Sequence, residues 1–162
     1  RQLAATGMLR SAAMMQDDVE TIAAATDMLA EAKLTPELRN EALYFRAKAY
    51  LNQQADKKAM NDLQALAKDT RTLYGAEAKY LVALQLYKAH EYAAAEKEIL
   101  NFIEQSTPHA YWLARSFILL SDVYVAMDKK LDARQYLLSL QQNYHADDDI
   151  EQMINERLEK LK

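Results

Sequence analysis

Ser121 and Asp122 stand side by side inside an otherwise apolar run, Phe117-Ile118-Leu119-Leu120-Ser121-Asp122-Val123-Tyr124. A hydroxyl next to a carboxylate is either chemistry or packing and surface, and the rest of the chain decides between them. The three histidines, His90, His109 and His145, fall at separate polar corners with no metal-ligand spacing between them. His145 lies close to Asp147, Asp148 and Asp149, but three acids ahead of a helix are explained by the positive end of its dipole. The two glycines, Gly7 and Gly75, are isolated, so no phosphate-cradling loop exists. There is no G-x-S-x-G elbow and no cysteine nucleophile. Carboxylates are plentiful on helical faces, but none is marked by its neighbours as an acid or a base. These readings point to a non-enzymatic chain with no catalytic residues, no metal and no cofactor.

Bulk composition agrees. The chain has 162 residues, about half of them apolar and a quarter charged, a soluble make-up with enough length for one core. Two glycines and two prolines are too few for a strand-and-turn fold, whereas abundant alanine suits helices joined by short polar corners. A net charge of −4 argues against general nucleic-acid binding, which needs a basic surface. No run of about 18 apolar residues is present to span a bilayer. With no cysteine, disulfides are excluded and the compartment stays open. The chain begins at Arg1 already in helical pattern, and reads as a piece of a longer protein.

Helical periodicity runs nearly throughout. Thr35-Pro36 and Thr107-Pro108 read as helix starts, with a hydroxyl cap followed by proline at the first helical position. Polar corners near 16–18, 52–57, 90–91, 128–130 and 145–149 divide the chain into eight helical segments and a ninth from Asp148 to Leu161. Segments joined so tightly must pack antiparallel.

The eight segments carry an internal repeat. Phe117-x-x-Leu120-Ser121-x-x-Tyr124 aligns with Leu43-x-x-Arg46-Ala47-x-x-Tyr50, and more loosely with Lys79-x-x-Val82-Ala83-x-x-Leu86 and Met8-x-x-Ser11-Ala12-x-x-Met15. Twelve residues after each small residue comes an alanine, Ala24, Ala59, Ala95 and Ala133. Four further on stand Met28, Leu63, Ile99 and Leu137, then Leu66, Phe102 and Leu140, where the first repeat has Glu31 instead. A constant offset inside each unit and a variable one between units is what close-packed hairpins require: small residues fix the approach of two backbones, while outer connections lengthen cheaply. Ser121 is then the small residue of its hairpin, able to bond back to a carbonyl one turn earlier.

This pattern resembles the tetratricopeptide repeat, W-x2-L-G-x2-Y, then A-x3-F, then P. Ala12, Ala47, Ala83 and Ser121 match its small position, Tyr50 and Tyr124 its tyrosine, and Pro36 its closing proline, with Pro108 one place beyond it. No repeat has the tryptophan or the glycine, and the repeats step by 35, 36 and 38 residues. The resemblance implies an all-α, antiparallel helix-hairpin solenoid: one domain over 1–162, with repeats at about 3–34, 35–70, 71–106 and 107–145 and a capping helix at 148–162. The ninth segment has the right character for a cap, with Ile150, Met153, Ile154, Leu158 and Leu161 on one stripe and polar residues opposite.

The resemblance also implies a concave groove lined by the first helix of each repeat. It assigns to that groove Tyr44, Lys48 and Leu51, then Tyr80, Leu84 and Tyr87, then Ile118, Asp122 and Val125. Three tyrosines would form a ladder, with Lys48 and Asp122 toward opposite ends. Tyrosine gives wide contact area with a polar tip, which suits interfaces. The expected partner is therefore a peptide or segment of another protein, not nucleic acid and not a membrane interior. The alternative is a structural spacer or self-association segment, including a homodimer, within a larger repeat protein. Trp112 reads as a wedge between repeats, and the dispersed methionines as core gap-fillers. The long, divergent repeats are similar to those of bacterial envelope-associated tetratricopeptide proteins, which implies a periplasmic or cell-envelope setting.

Overall fold

A computed structural model describes residues 2–162, apart from the side chain of Gln2. Among the described residues there are nine α-helices and no strand: α1 (Gln2–Met14), α2 (Asp18–Leu29), α3 (Pro36–Asn52), α4 (Asp56–Leu66), α5 (Leu73–Lys88), α6 (Tyr92–Glu104), α7 (Ala110–Ala126), α8 (Lys130–Asn143) and α9 (Ile150–Lys160). None of them is long and apolar enough to cross a membrane. The chain is described as two compact units, Arg1–Asp69 and Thr70–Lys162.

Four corners share one backbone solution. Residues 15–17, 53–55, 89–91 and 127–129 join α1 to α2, α3 to α4, α5 to α6 and α7 to α8. In each, the middle residue is left-handed: Gln16, Gln54, His90 and Asp128 have φ of 56°, 60°, 61° and 60°. The next amide donates to a carbonyl five residues back: Asp17 to Ala12, Ala55 to Tyr50, Glu91 to Leu86 and Lys129 to Tyr124. The left-handed residue's own amide donates to the carbonyl three back. This is the Schellman closure that satisfies the orphan carbonyls of a helix end, made here without glycine.

Three helix starts, those of α2, α3 and α5, are capped by a hydroxyl or a carboxylate. Asp17 accepts from the Glu20 amide, Thr35 from Leu38 ahead of Pro36, and Thr72 from Gly75. Thr107-Pro108 is a correction to the sequence reading. α7 begins at Ala110 with His109 as its cap residue, and Thr107 accepts from the His109 amide while donating to the Thr70 carbonyl at 2.6 Å. A carbonyl 37 residues away holds the hydroxyl that the local pattern assigned to the helix.

In the first unit α2 packs on both α1 and α3, and α3 on α4. Leu9, Ala24, Ala25, Met28 and Ala42 form its buried cluster. A charged tie runs through it: the Arg46 guanidinium donates twice to the Asp62 carboxylate, at 2.8 and 2.7 Å, and once to the Thr26 hydroxyl at 3.2 Å. In the second unit α5, α6 and α7 pack mutually, α8 lies on α7, and α9 contacts both α7 and α8. Ala114, Ile118, Leu137, Leu140, Ile150 and Ile154 form a core there, so the apolar stripe of α9 is buried against α7 and α8. Lys79 ties α5 to α6 through Glu98 at 2.7 Å and Asn101 at 2.8 Å.

Every small position of the internal repeat is interior. Ala12, Ala47, Ala83 and Ser121 are buried, as are Ala24, Ala59, Ala95 and Ala133 opposite them. Burial at these points lets helix backbones approach closely. The methionines do not behave as expected: Met28 is buried, but Met8, Met14 and Met15 are 60%, 85% and 76% exposed. They lie on or just after α1, on faces that nothing in the structure covers.

Candidate partner-binding clefts

Each unit has a cleft between successive long helices. In the second unit a cleft of about 560 Å³ opens between α5, α7, the start of α8 and α9. Tyr87 comes from α5, Ser121, Asp122 and Val125 from α7, Lys130 from α8, Glu156, Arg157 and Lys160 from α9, and Leu161 follows directly after α9. Tyr87 and Asp122, both assigned to the groove from sequence, do meet here. The spacing works because Asp122 follows the buried Ser121 on α7, so one turns outward as the other turns in.

Asp122 is not a free charge. The Arg157 guanidinium donates to its two oxygens at 2.9 and 3.0 Å, a bidentate pair that fastens α9 to α7. Burial, reinforced by the Asp122 carboxylate and by Tyr92, pushes the Tyr87 phenol up from its ordinary value. The phenol therefore stays neutral and available as a hydrogen-bond donor through the physiological range. Among the described residues neither Lys130 nor Lys160 has an ion-pair partner, while Val125, 40% exposed, and half-buried Leu161 add apolar surface. The cleft thus offers an apolar wall, a neutral hydroxyl and two lysines without an ion-pair partner, beside the Glu156 carboxylate, which accepts from Gln152.

Other expected groove residues are placed elsewhere. Ile118 is 1% exposed and packs against Ile150 and Ile154, because α9 covers the face of α7 one turn before Asp122. Tyr80 is 6% exposed, its ring 5.6 Å from Trp112 and 5.0 Å from the Arg115 guanidinium, which also donates to its hydroxyl at 3.1 Å. Arg115 donates to Tyr111 as well, at 2.9 Å, and Tyr111 donates to Asp149 at 3.0 Å. Tyr80 is thus a structural residue between α5 and α7, with Trp112 wedged beside it, and the tyrosine ladder does not extend through it. Leu84 is half-buried and lines neither cleft.

In the first unit a cleft of about 390 Å³ lies between α1 and α3 and the start of α2. Lys48 lines it beside Phe45, its ammonium 5.6 Å from the centre of the Tyr44 ring. Arg10 donates to Glu41 at 2.6 and 2.8 Å across the cleft, and Asn52 donates to Asp18 at 3.2 Å. Tyr44 and Leu51 are half-buried outside its lining.

The contributors that sequence reasoning missed are the cations of α9 and α8. Arg157 and Lys160 belong to a helix read only as a cap, whose contact with α7 has no signature in the repeat. At the corner of His145, the acids are engaged by protein groups: Asp148 accepts from the Tyr144 hydroxyl at 2.6 Å and from the Ile150 amide at 3.0 Å. Among the described residues no three histidine or carboxylate side chains gather as a metal site requires. Comparison of the chain with protein-family models, with curated proteins and with solved structures gave no match.

Proposed function

We propose that this chain is a non-enzymatic protein-interaction scaffold of tetratricopeptide-like repeats, and that a segment of a partner protein lies in the cleft of the second unit. The observation that carries this reading is the cleft bounded by Tyr87, Val125 and Leu161 with the unpaired Lys130 and Lys160 at its edge. Apolar contact area with a few polar groups that have not already been matched internally is the anatomy of a binding site. A groove whose charges were all paired, as Asp122 and Arg157 are, would offer a partner little beyond its apolar surface.

The test is affinity capture from a lysate of the source organism. The bait is the chain itself beside a Tyr87→Ala, Val125→Glu variant, which alters the cleft and leaves the Asp122–Arg157 pair intact. Circular dichroism establishes that both are folded. A protein retained by the unaltered chain and lost by the variant supports the reading and identifies its client. Equal retention by both, or none by either, removes the cleft from consideration and favours the structural-spacer reading.

A further inference from the structure

The exposed side of α1 carries a second groove, of about 370 Å³, formed by Gly7, Met8, Ser11, Ala12 and Met15 and edged by Asp17 and Glu20 at the start of α2. Its meaning comes from register. Thirty-five residues on, the same positions on α3 are Ala42, Leu43, Arg46, Ala47 and Tyr50. There the face is occupied: Ala42 is fully buried in one cluster with Ala25 and Met28 of α2, and Arg46 donates to Thr26 of α2. In the second unit the counterpart of Gly7 on α7 is Ser116, also fully buried, with α6 packed on that helix. A small residue five places before the hairpin's own small residue is thus where another helix approaches closely.

On α1 the same place is empty. A Cβ added to Gly7 would meet nothing within 4 Å, and Met8 and Met15 stand 60% and 76% exposed. Methionine's flexible thioether adapts to an incoming surface, and a side of two methionines and two small residues suits a helix better than a charged segment.

We infer that the Gly7–Met15 groove of α1 is a docking surface for an α-helix from outside these 162 residues, one that presents small and aliphatic side chains and carries lysine or arginine at its flanks. α2 shows which helix fits the equivalent face: its ridge is Ala24, Ala25 and Met28. The basic flanks follow from Asp17 and Glu20, which have no ion-pair partner among the described residues and lie along the groove's edge. Charge also argues against a second copy of this chain as occupant. Its own α2 carries Asp18, Glu20 and Asp27, and the exposed residues of α9 include three acids, Glu151, Glu156 and Glu159, against the single cation Lys160. Like charges facing across a helical contact disfavour it.

The test uses the intact chain and a stapled helical peptide with the sequence of residues 19–30, changed by Glu20→Lys and Asp27→Lys, followed by fluorescence anisotropy. Saturable binding is expected, weakened about tenfold or more by Met15→Glu, which places an unmatched charge on the docking face, and by Gly7→Trp, which fills the groove. Both changes are at exposed positions, and circular dichroism checks that helicity is kept. Lys97→Gln, at an exposed position of α6 that lines no cleft described above, should leave binding unchanged. Absence of saturable binding, or equal binding by all variants, overturns the inference. So does a concentration-dependent dimer in sedimentation equilibrium that Gly7→Trp abolishes, since a second copy would then be the occupant.

Discussion

The Arg46–Asp62 pair allows the energetics of the first unit to be tested quantitatively. Asp62→Ala removes a carboxylate whose side chain is 6% exposed and which receives two hydrogen bonds from a guanidinium that is 19% exposed. After the change the guanidinium keeps only its bond to Thr26. Breaking a buried pair from one side costs about 3–5 kcal/mol, because the remaining charge is left without its partner. Arg46 retains some contact with water, so the lower end applies, about 3 kcal/mol. With a urea dependence of roughly 2 kcal/mol/M, the unfolding midpoint of the first unit falls by roughly 1.5 M. The assay is urea unfolding followed by circular dichroism, with hydrogen exchange on the α3 and α4 peptides to assign the change to these helices. A paired change, Arg46→Met with Asp62→Leu, supplies the control. It removes both charges and should return stability to within about 1 kcal/mol of the starting protein. A cost below about 1 kcal/mol for Asp62→Ala, or a double variant as unstable as the two single changes added together, would refute the view that desolvated charge makes this contact costly to break.

Two further outcomes follow from local geometry. Burial first, and then the hydrogen bond to Asp148, pushes the Tyr144 phenol up to about 12, so the folded state holds this proton more tightly than the unfolded chain does. The stability it contributes is complete below about pH 10, the ordinary tyrosine value, and is lost as pH rises through about 12. Tyr144→Phe should remove that alkaline component from a pH series of urea melts. At the corners, Gln54→Gly or His90→Gly relieves a left-handed residue of its Cβ clash. Each should raise stability by about 0.5 kcal/mol, net of the extra freedom glycine gives the unfolded chain, and alanine at the same places should not.

The helices, their corners and the interior small residues were legible because each has a local cause. Ala47 and Ala59, twelve residues apart, mark where α3 and α4 approach, and that offset is set inside one hairpin. The left-handed corner residues were not legible, since Gln, Gln, His and Asp share no chemistry that announces a positive φ. What sequence pattern could not supply were the contacts made by distant partners. Thr107 is drawn away from capping by the Thr70 carbonyl, Ile118 is covered by α9, and Tyr80 is enclosed by Arg115 and Trp112. Of the expected groove, Tyr87 of α5 and Asp122 of α7 converge because each stands on the side of its own helix that borders the cleft, whereas Arg157 and Lys160 enter from a helix outside the repeat pattern.

Trp112 has a consequence for how the molecule can be observed. It is the chain's single tryptophan, its ring lies against Tyr80 and edge-on to Tyr111 at 5.0 Å, and the Arg115 guanidinium lies 5.9 Å from it. Two phenols so near one indole act as antennae: Tyr111, next to Trp112 on α7, passes on its energy in any state, whereas Tyr80 sits on α5 and its contribution depends on α5 and α7 keeping their spacing. The second unit therefore contains its own optical ruler. Emission reports the integrity of one helix–helix contact, with no dye to attach and no competing indole elsewhere in the sequence.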